Sequence, residues 1–203
     1  PELSQEKHSR YQLYVTPDAP AVAALAAQID GVVAAYQQAV GWTWVSDGTL
    51  HGQPEKWLMP EEFLAETPAY GTNPVPPEIV SDCEEQANTL VSLLRAEGVA
   101  PSQVRVVLGE VNFGGEVGGH AWVQLWYEGQ WIDLETTSGP YWDDDEGILV
   151  ERNGYPFRFY ANHHYPVVQV WAYYNDVFYW DPRVEEGNAP DSWKMQPLLQ
   201  QAS

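Results

Sequence analysis

The chain has 203 residues, with 29 Asp and Glu against 9 Lys and Arg and a formal charge of −20. Phosphate binding needs clustered Lys and Arg, so nucleic acid is excluded as a partner. Ten Trp, twelve Tyr and five Phe can fill one sizeable core, which predicts a single domain over residues 1–203.

One cysteine allows no internal disulfide and carries no signature of redox compartment. The most apolar stretch, Ala19 to Val40, is interrupted by Gln28, Asp30, Gln37 and Gln38, which argues against a membrane span. Pro1 in place of Met suggests that an upstream segment has been removed, in keeping with an extracytoplasmic chain, although nothing fixes the compartment. The acidity favours basic or amine-bearing substrates.

In chain order, Tyr11 to Val15 alternates and reads as an arm or edge strand. Thr16-Pro17-Asp18-Ala19-Pro20 is a helix start. Val22, Leu25, Ile29, Val32, Val33 and Tyr36 follow at helical spacing, predicting one helix over about 20–40. From Trp42 to Val80 the chain is rich in proline, with one helical patch at Pro60 to Leu64. A long irregular segment in a compact domain often borders a binding cleft, and Trp42, Trp44 and Trp57 are candidates to line it.

The sole cysteine follows. Cys83, Ala87, Leu90, Val91 and Leu94 form an apolar stripe at helical period, predicting a helix from about Cys83 to about Glu97 with Ser81 or Asp82 as its cap. A thiol at a helix N-terminus lies near free amides and the positive end of the dipole, both of which favour thiolate. Glu84 and Glu85 oppose this, so a positive partner is required. A lone cysteine is otherwise a small buried hydrophobe.

Val104 to Gly109 reads as a buried strand and Asn112 to Gly119 as a mobile glycine-rich loop. His120 to Tyr127 then alternates, with Ala121, Val123, Leu125 and Tyr127 on one face and His120, Trp122, Gln124 and Trp126 on the other. Glu128-Gly129 is a two-residue turn into Gln130 to Thr136. This turn sets Tyr127 opposite Gln130 and His120 opposite Thr137. Glu135 is then a diagonal neighbour of His120, about 7–8 Å away, whereas Asp133 lies ~13 Å off along the strand.

Asp143-Asp144-Asp145-Glu146-Gly147 lacks the EF-hand ligand pattern and reads as a solvated acidic loop. Phe157 to Tyr160, Val167 to Tyr174 and Val177 to Trp180 read as strands, an aromatic β-rich extension over about 155–182 with a turn at Asn175-Asp176. The polar tail from Val184 is expected to wrap the surface or fray. His163 and His164 would point to opposite faces of any strand, so at most one could join His120 on a metal. No metal or other cofactor is expected.

Several of these runs together carry a family resemblance. Asp82-Cys83-Glu84 opens the helix that ends Leu93-Leu94-Arg95-Ala96-Glu97-Gly98-Val99, and Arg105-Val106-Val107-Leu108-Gly109 follows it. His120-Ala121-Trp122-Val123 and Gly129-Gln130-Trp131 come next, leading to Leu134-Glu135-Thr136-Thr137. With the lead-in Trp57-Leu58-Met59-Pro60-Glu61-Glu62-Phe63-Leu64, they resemble the transglutaminase-like superfamily of papain-type cysteine enzymes, covering roughly residues 57–137.

The resemblance implies an α+β fold with the Cys helix packed on an antiparallel sheet that carries the His and the acid. It implies Cys83 as nucleophile, His120 as base and an acid four residues after Trp131. That position is Glu135, where the family normally has Asp; Asp133 is the second choice. Acyl transfer is implied, with peptide or isopeptide cleavage of a peptide or protein substrate ahead of cross-linking. The Cys83 backbone N–H and Trp57 are candidate oxyanion donors, and Trp57 and Trp122 candidate substrate contacts. A non-catalytic module on the same fold, binding peptide or glycan in an aromatic groove, is the alternative.

Overall fold

The structure is a computed structural model and describes residues 7–195. A 3-10 turn at Arg10–Tyr14 is closed by a capping box between Ser9 and Gln12, so the expected arm or edge strand is helical instead. The chain continues through α1 (Pro20–Ala26), α2 (Val32–Ala39), β1 (Thr43–Trp44), α3 (Asp47–His51) and α4 (Pro60–Ala65). Next come β2 (Val80–Ser81), α5 (Cys83–Ala96), β3 (Val104–Asn112), β4 (Val117–Tyr127) and β5 (Gln130–Leu134). It ends with β6 (Tyr141–Asp143), β7 (Ile148–Val150), α6 (Tyr160–His163), β8 (Val167–Tyr174), β9 (Tyr179–Asp181), β10 (Glu186–Gly187) and α7 (Asp191–Lys194).

The single helix expected over 20–40 is thus two. Gly31 sits at φ +89° as the N-cap of α2, a conformation that breaks the helix while the apolar spacing carries across the break.

A six-stranded sheet in the order β10-β9-β8-β3-β4-β5 is antiparallel throughout. Its two faces alternate as the sequence predicts. Ala121, Val123 and Leu125 join the core beneath α5 with Val106 and Leu108, while Trp122 joins Val107, Tyr173 and Trp193 on the far side. The turn at Glu128-Gly129 has both residues at positive φ (50° and 82°), which suits the twist of a tight hairpin, and Tyr127 pairs with Gln130.

Strand β4 begins earlier than expected. Gly118 and Gly119 pair with Val111 and Glu110, leaving a short turn between Asn112 and Val117. Phe157 to Tyr160 is a turn leading into α6, whereas β8 and β9 extend the sheet.

The chain after Val184 does not simply fray. Trp193 is 1% exposed and closes a box of Trp131, Tyr173 and Trp193 around the buried Arg105 guanidinium. Arg105 Nε donates to Gln124 Oε1 at 2.9 Å and a terminal nitrogen donates to the Trp193 carbonyl at 3.1 Å. The part of the tail at 196–203 lies outside the described residues.

A second, mixed sheet, β2-β1-β6-β7, has β1 parallel to both β2 and β6. It sets Trp44 beside both Ser81 and Tyr141, two positions before the cysteine.

Helix α5 is the centre of the molecule. Every residue from Glu84 to Leu94 is buried, the polar ones included. Tyr174 donates to Asn88 Oδ1 at 2.7 Å, Ser92 donates to the Asn88 carbonyl, and Thr16 N donates to Ser92 Oγ. Glu85 accepts from Leu58 N at 2.6 Å and from Ser81 Oγ at 3.0 Å, tying the segment before α4 to the helix.

Where β3 and β8 cross at a register shift, a Cβ on Gly109 would lie 2.4 Å from the Gln169 carbonyl oxygen. Gly109→Ala is therefore expected to destabilise the fold by about 2 kcal/mol or more, read as a lowered urea midpoint.

Candidate active site

Cys83 is the first residue of α5 and is half-buried. Neither expected cap forms. Asp82 occupies the N-cap without a side-chain bond to the first turn, and the Ser81 hydroxyl is committed to Glu85.

His120 lies near the start of β4, and its ring stacks at 5.8 Å on Trp122 with Phe113 and Tyr165 edge-on. Cys83 and His120 line one cavity of about 460 Å³ together with Gly119 and Thr137. Trp44, Phe113, Tyr141 and Tyr165 give it aromatic walls, and Arg152 completes the lining.

The carboxylate against His120 is Glu135. Its Oε2 lies 2.6 Å from His120 Nε2, with Glu135 1% and His120 4% exposed. The ladder between β4 and β5 ends at Val123 opposite Leu134, and the chain then turns at Thr136–Ser138. Thr137 donates twice to Glu135 Oε1, from its backbone N–H at 3.2 Å and its hydroxyl at 2.8 Å. One carboxylate oxygen is thus fixed by Thr137 and the other faces the imidazole. Among the described residues His120 is bonded through Nε2, which leaves Nδ1 as the nitrogen available to a partner.

Asp133 is occupied elsewhere, accepting from Trp122 Nε1 at 2.8 Å and Gln124 Nε2 at 2.9 Å. It steadies the indole on which His120 stacks.

Two sequence expectations are corrected here. Trp57 does not line the cavity, because its ring is stacked on Tyr11 at 5.3 Å and edge-on to Tyr14 at 5.1 Å, with Nε1 donating to Glu55. Trp122 is 2% exposed and supports the imidazole from behind, so it presents no surface to a substrate. Trp44 is one of the three indoles that the sequence offers for the cleft, and only the parallel pairing of β1 brings it to the site. Arg152, Tyr141 and Tyr165 had no local signal.

The electrostatics set the resting protonation. Burial is the largest influence on Cys83, and with Glu84 and Asp82 beside it the thiol is pushed well up. A backbone hydrogen bond from Ala121 lowers it too little to compensate. The helix dipole, which favours thiolate, is outweighed.

The acids share this burden. Desolvation and the Glu85 charge push Asp82 up to about 9, and desolvation raises Glu85 to about 7. Burial disfavours the imidazolium of His120, but the Glu135 charge and hydrogen bond, joined by Glu84, outweigh it and raise the histidine above its ordinary 6.5. Burial likewise opposes the Glu135 carboxylate, while His120 and Thr137 outweigh it and lower that group below 4.5.

Asp82, Cys83 and Glu84 bring three ligand atoms within 4.8 Å of one another. Two carboxylates and a thiol make a sparse donor set for a hard cation, which takes six to eight oxygens. His163 and His164 are exposed and turn Nδ1 to the carbonyls of Phe159 and Tyr165. No histidine joins the ligand grouping found among the described residues. His51, unremarkable in sequence, is buried at its side chain 3.9 Å from Asp47. No described helix is long and apolar enough to cross a membrane.

An α+β fold that sets the N-terminus of a central helix against an antiparallel sheet defines the transglutaminase-like class. The chain belongs to the transglutaminase-like superfamily, whose family model matches residues 24–136, more than half of its length. Among solved structures it is similar to Legionella pneumophila LapG in the calcium-bound form, at 13% identity over 85% of this chain and 93% of that one, with a TM-score of 0.46. The EGTA-treated form gives 13% over 84% and 89% with a TM-score of 0.49. A third LapG structure gives 14% over 80% and 86% with 0.47. No curated protein matches the chain.

Three outcomes are expected from these charges. Glu135→Gln removes the two larger influences that raise His120 and leaves Glu84 alone against desolvation, the largest influence of all, so the imidazole should titrate below 6.5 by NMR instead of above it. In the wild type, Glu135 stabilises the fold above about 4.5 and loses this as pH falls through its lowered value. His120 contributes below about 6.5 and loses this as pH rises through its raised value, so the melting-temperature deficit of Glu135→Gln should be largest between pH 4.5 and 6.5. Alkylation of Cys83 by iodoacetamide should keep accelerating beyond pH 9. A plateau reached below pH 7 would instead reveal a preformed thiolate–imidazolium pair.

Proposed function

We propose that the protein is a cysteine hydrolase that cleaves peptide or isopeptide bonds by acyl transfer, with Cys83 as nucleophile, His120 as base and acid, and Glu135 as the group that orients and charges the imidazole. The observation that carries this reading is that Cys83 and His120 line one cavity while Glu135 holds the opposite nitrogen of the imidazole at 2.6 Å.

The neutral thiol donates to Glu84 Oε2 at 3.1 Å at rest, so it turns from that carboxyl and its proton passes to His120 Nδ1 as sulfur attacks the carbonyl carbon. The carbonyl π pair becomes the oxyanion. Collapse expels the amine, which takes the proton back from His120 and leaves a thioester on Cys83. Water, deprotonated by the same nitrogen, attacks the thioester and releases the acid and the thiol. The raised basicity of His120 suits it to the first and last of these steps.

The free Cys83 amide at the start of α5 is one oxyanion donor. Trp44, whose ring lines the cavity, replaces Trp57 as the candidate for the second. The substrate is a peptide or protein, and residues 1–203 are proposed to act as one domain.

A second reading, a binding module that holds peptide or glycan against the aromatic walls, is favoured by the neutral thiol.

With p-nitrophenyl acetate, the hydrolase should release a burst of one p-nitrophenol per protein followed by slow turnover. The burst should be absent in Cys83→Ala and slowed at least about a hundredfold in His120→Ala. A burst that survives Cys83→Ala would overturn the acyl-enzyme. Absence of any burst, with peptide binding that survives both substitutions, would establish the binding module.

A further inference from the structure

In a chain with 29 acidic residues and 9 basic ones, a guanidinium without a carboxylate is conspicuous. Arg95 pairs with Asp176, Arg158 with Glu128 and Arg183 with Asp181, and Arg105 is enclosed by aromatic rings. Arg10, exposed on its 3-10 turn and without an ion pair among the described residues, is not part of the cavity. Arg152 lines the cavity beside Cys83 and His120 and forms no ion pair among the described residues. It is nevertheless held in place. Nε donates to the Gly139 carbonyl at 2.8 Å, one terminal nitrogen donates to the Thr137 carbonyl at 3.3 Å, and the guanidinium lies 4.6 Å over the Tyr141 ring.

These contacts use two of the five N–H donors of the fork and fix its plane. The other terminal nitrogen has no partner among the described residues. A guanidinium with fixed orientation and open donors matches the two oxygens of a carboxylate. Among the described residues it is also the cavity's only Lys or Arg, so the local preference for charge runs opposite to that suggested by the net charge.

We propose that Arg152 is a specificity-determining residue whose guanidinium binds a carboxylate of the substrate. The source is either an acidic side chain near the bond attacked by Cys83 or the terminal carboxylate of the chain. The proposal rests on the hydrolase reading, since it takes Cys83 as the reacting atom. It is the anion's position that Arg152 sets, and no bond is made or broken at Arg152.

Iodoacetate and iodoacetamide test this, because both lose iodide to the Cys83 thiolate and differ in whether a carboxylate accompanies the reacting carbon. The ratio of their rates cancels any change in thiol acidity, so a purely structural role of Arg152 would not move it. Wild type should favour iodoacetate despite the net charge of −20. Arg152→Gln should lower the ratio about tenfold, with Arg152→Lys in between because it keeps the charge and loses the fork. Should Arg152→Gln fail to fold, the Lys variant and salt carry the test, since an exposed charge is screened and the wild-type preference should collapse by about 0.5 M NaCl. An unchanged ratio in the folded variants, or a wild-type ratio indifferent to salt, would overturn the proposal.

If neither reagent labels Cys83, it is the hydrolase reading that fails. Acetyl-Ala-Ala-Glu-amide and acetyl-Ala-Ala-Gln with a free terminal acid separate the two sources. The one that protects Cys83 from iodoacetamide beyond acetyl-Ala-Ala-Gln-amide, and only while Arg152 is present, identifies it. Equal protection by all three would count against the subsite.

Discussion

The burial of α5 on every side is the constraint on which the rest of the molecule depends. A helix in this position draws what partners its polar residues have from within the protein, since an unpaired buried group costs about 1–3 kcal/mol. Gln86 Oε1, Asn88 Nδ2 and Thr89 Oγ1 find none among the described residues. Asn88, Ser92 and Glu85 recruit their partners from Tyr174, Thr16, Ser81 and Leu58, one contact from the six-stranded sheet beneath the helix and three from the segments that precede it. Each contact locates a piece of chain that has little regular structure of its own. The proline-rich stretch before α5 is ordered because its ends are fastened to this helix and to the parallel strands β1 and β2.

The same burial shapes the chemistry at the helix start. Asp82, Cys83, Glu84 and Glu85 crowd one end of a desolvated helix, where each charge makes the next more costly. The protons held by Asp82 and Glu84 are the physical answer, and the thiol between them is disfavoured as an anion for the same reason. Two arrangements of opposite sense therefore meet across one cavity. Acids on α5 hold protons on, while Glu135, tied down by Thr137, draws a proton onto His120.

The central helix, the main sheet and the hairpin register were legible in the sequence, each for a local reason. The stripe from Cys83 to Leu94 has helical period, the strands alternate, and Glu128-Gly129 admits one tight turn, which carries Glu135 toward His120 and leaves Asp133 further along. What was not legible depended on distant pairing. The polar side of α5 is not solvated, because other segments cover it. The break at Gly31 does not interrupt the apolar spacing. The choice of Trp44 over Trp57 rests on the parallel pairing of two-residue strands that carry almost no propensity signal. Trp193 lies in a stretch whose composition is that of a polar tail, and its burial follows from Arg105, a charged residue on a wholly buried strand that requires an aromatic box.

Composition misleads most where the site is concerned. A net charge of −20 describes the field far from the surface, which steers ligands and is screened over about 8–10 Å in salt. Within the cavity the field is set by the few groups that line it, and those are a histidine held by a buried carboxylate, four aromatic rings and one arginine. Asp82 and Glu84, the acids nearest the sulfur, are both raised by burial and hold their protons more tightly than free carboxylates, so they add less negative charge to the cavity than their number suggests. Long-range attraction of cations and short-range acceptance of a carboxylate are therefore compatible properties of one chain, acting at different distances.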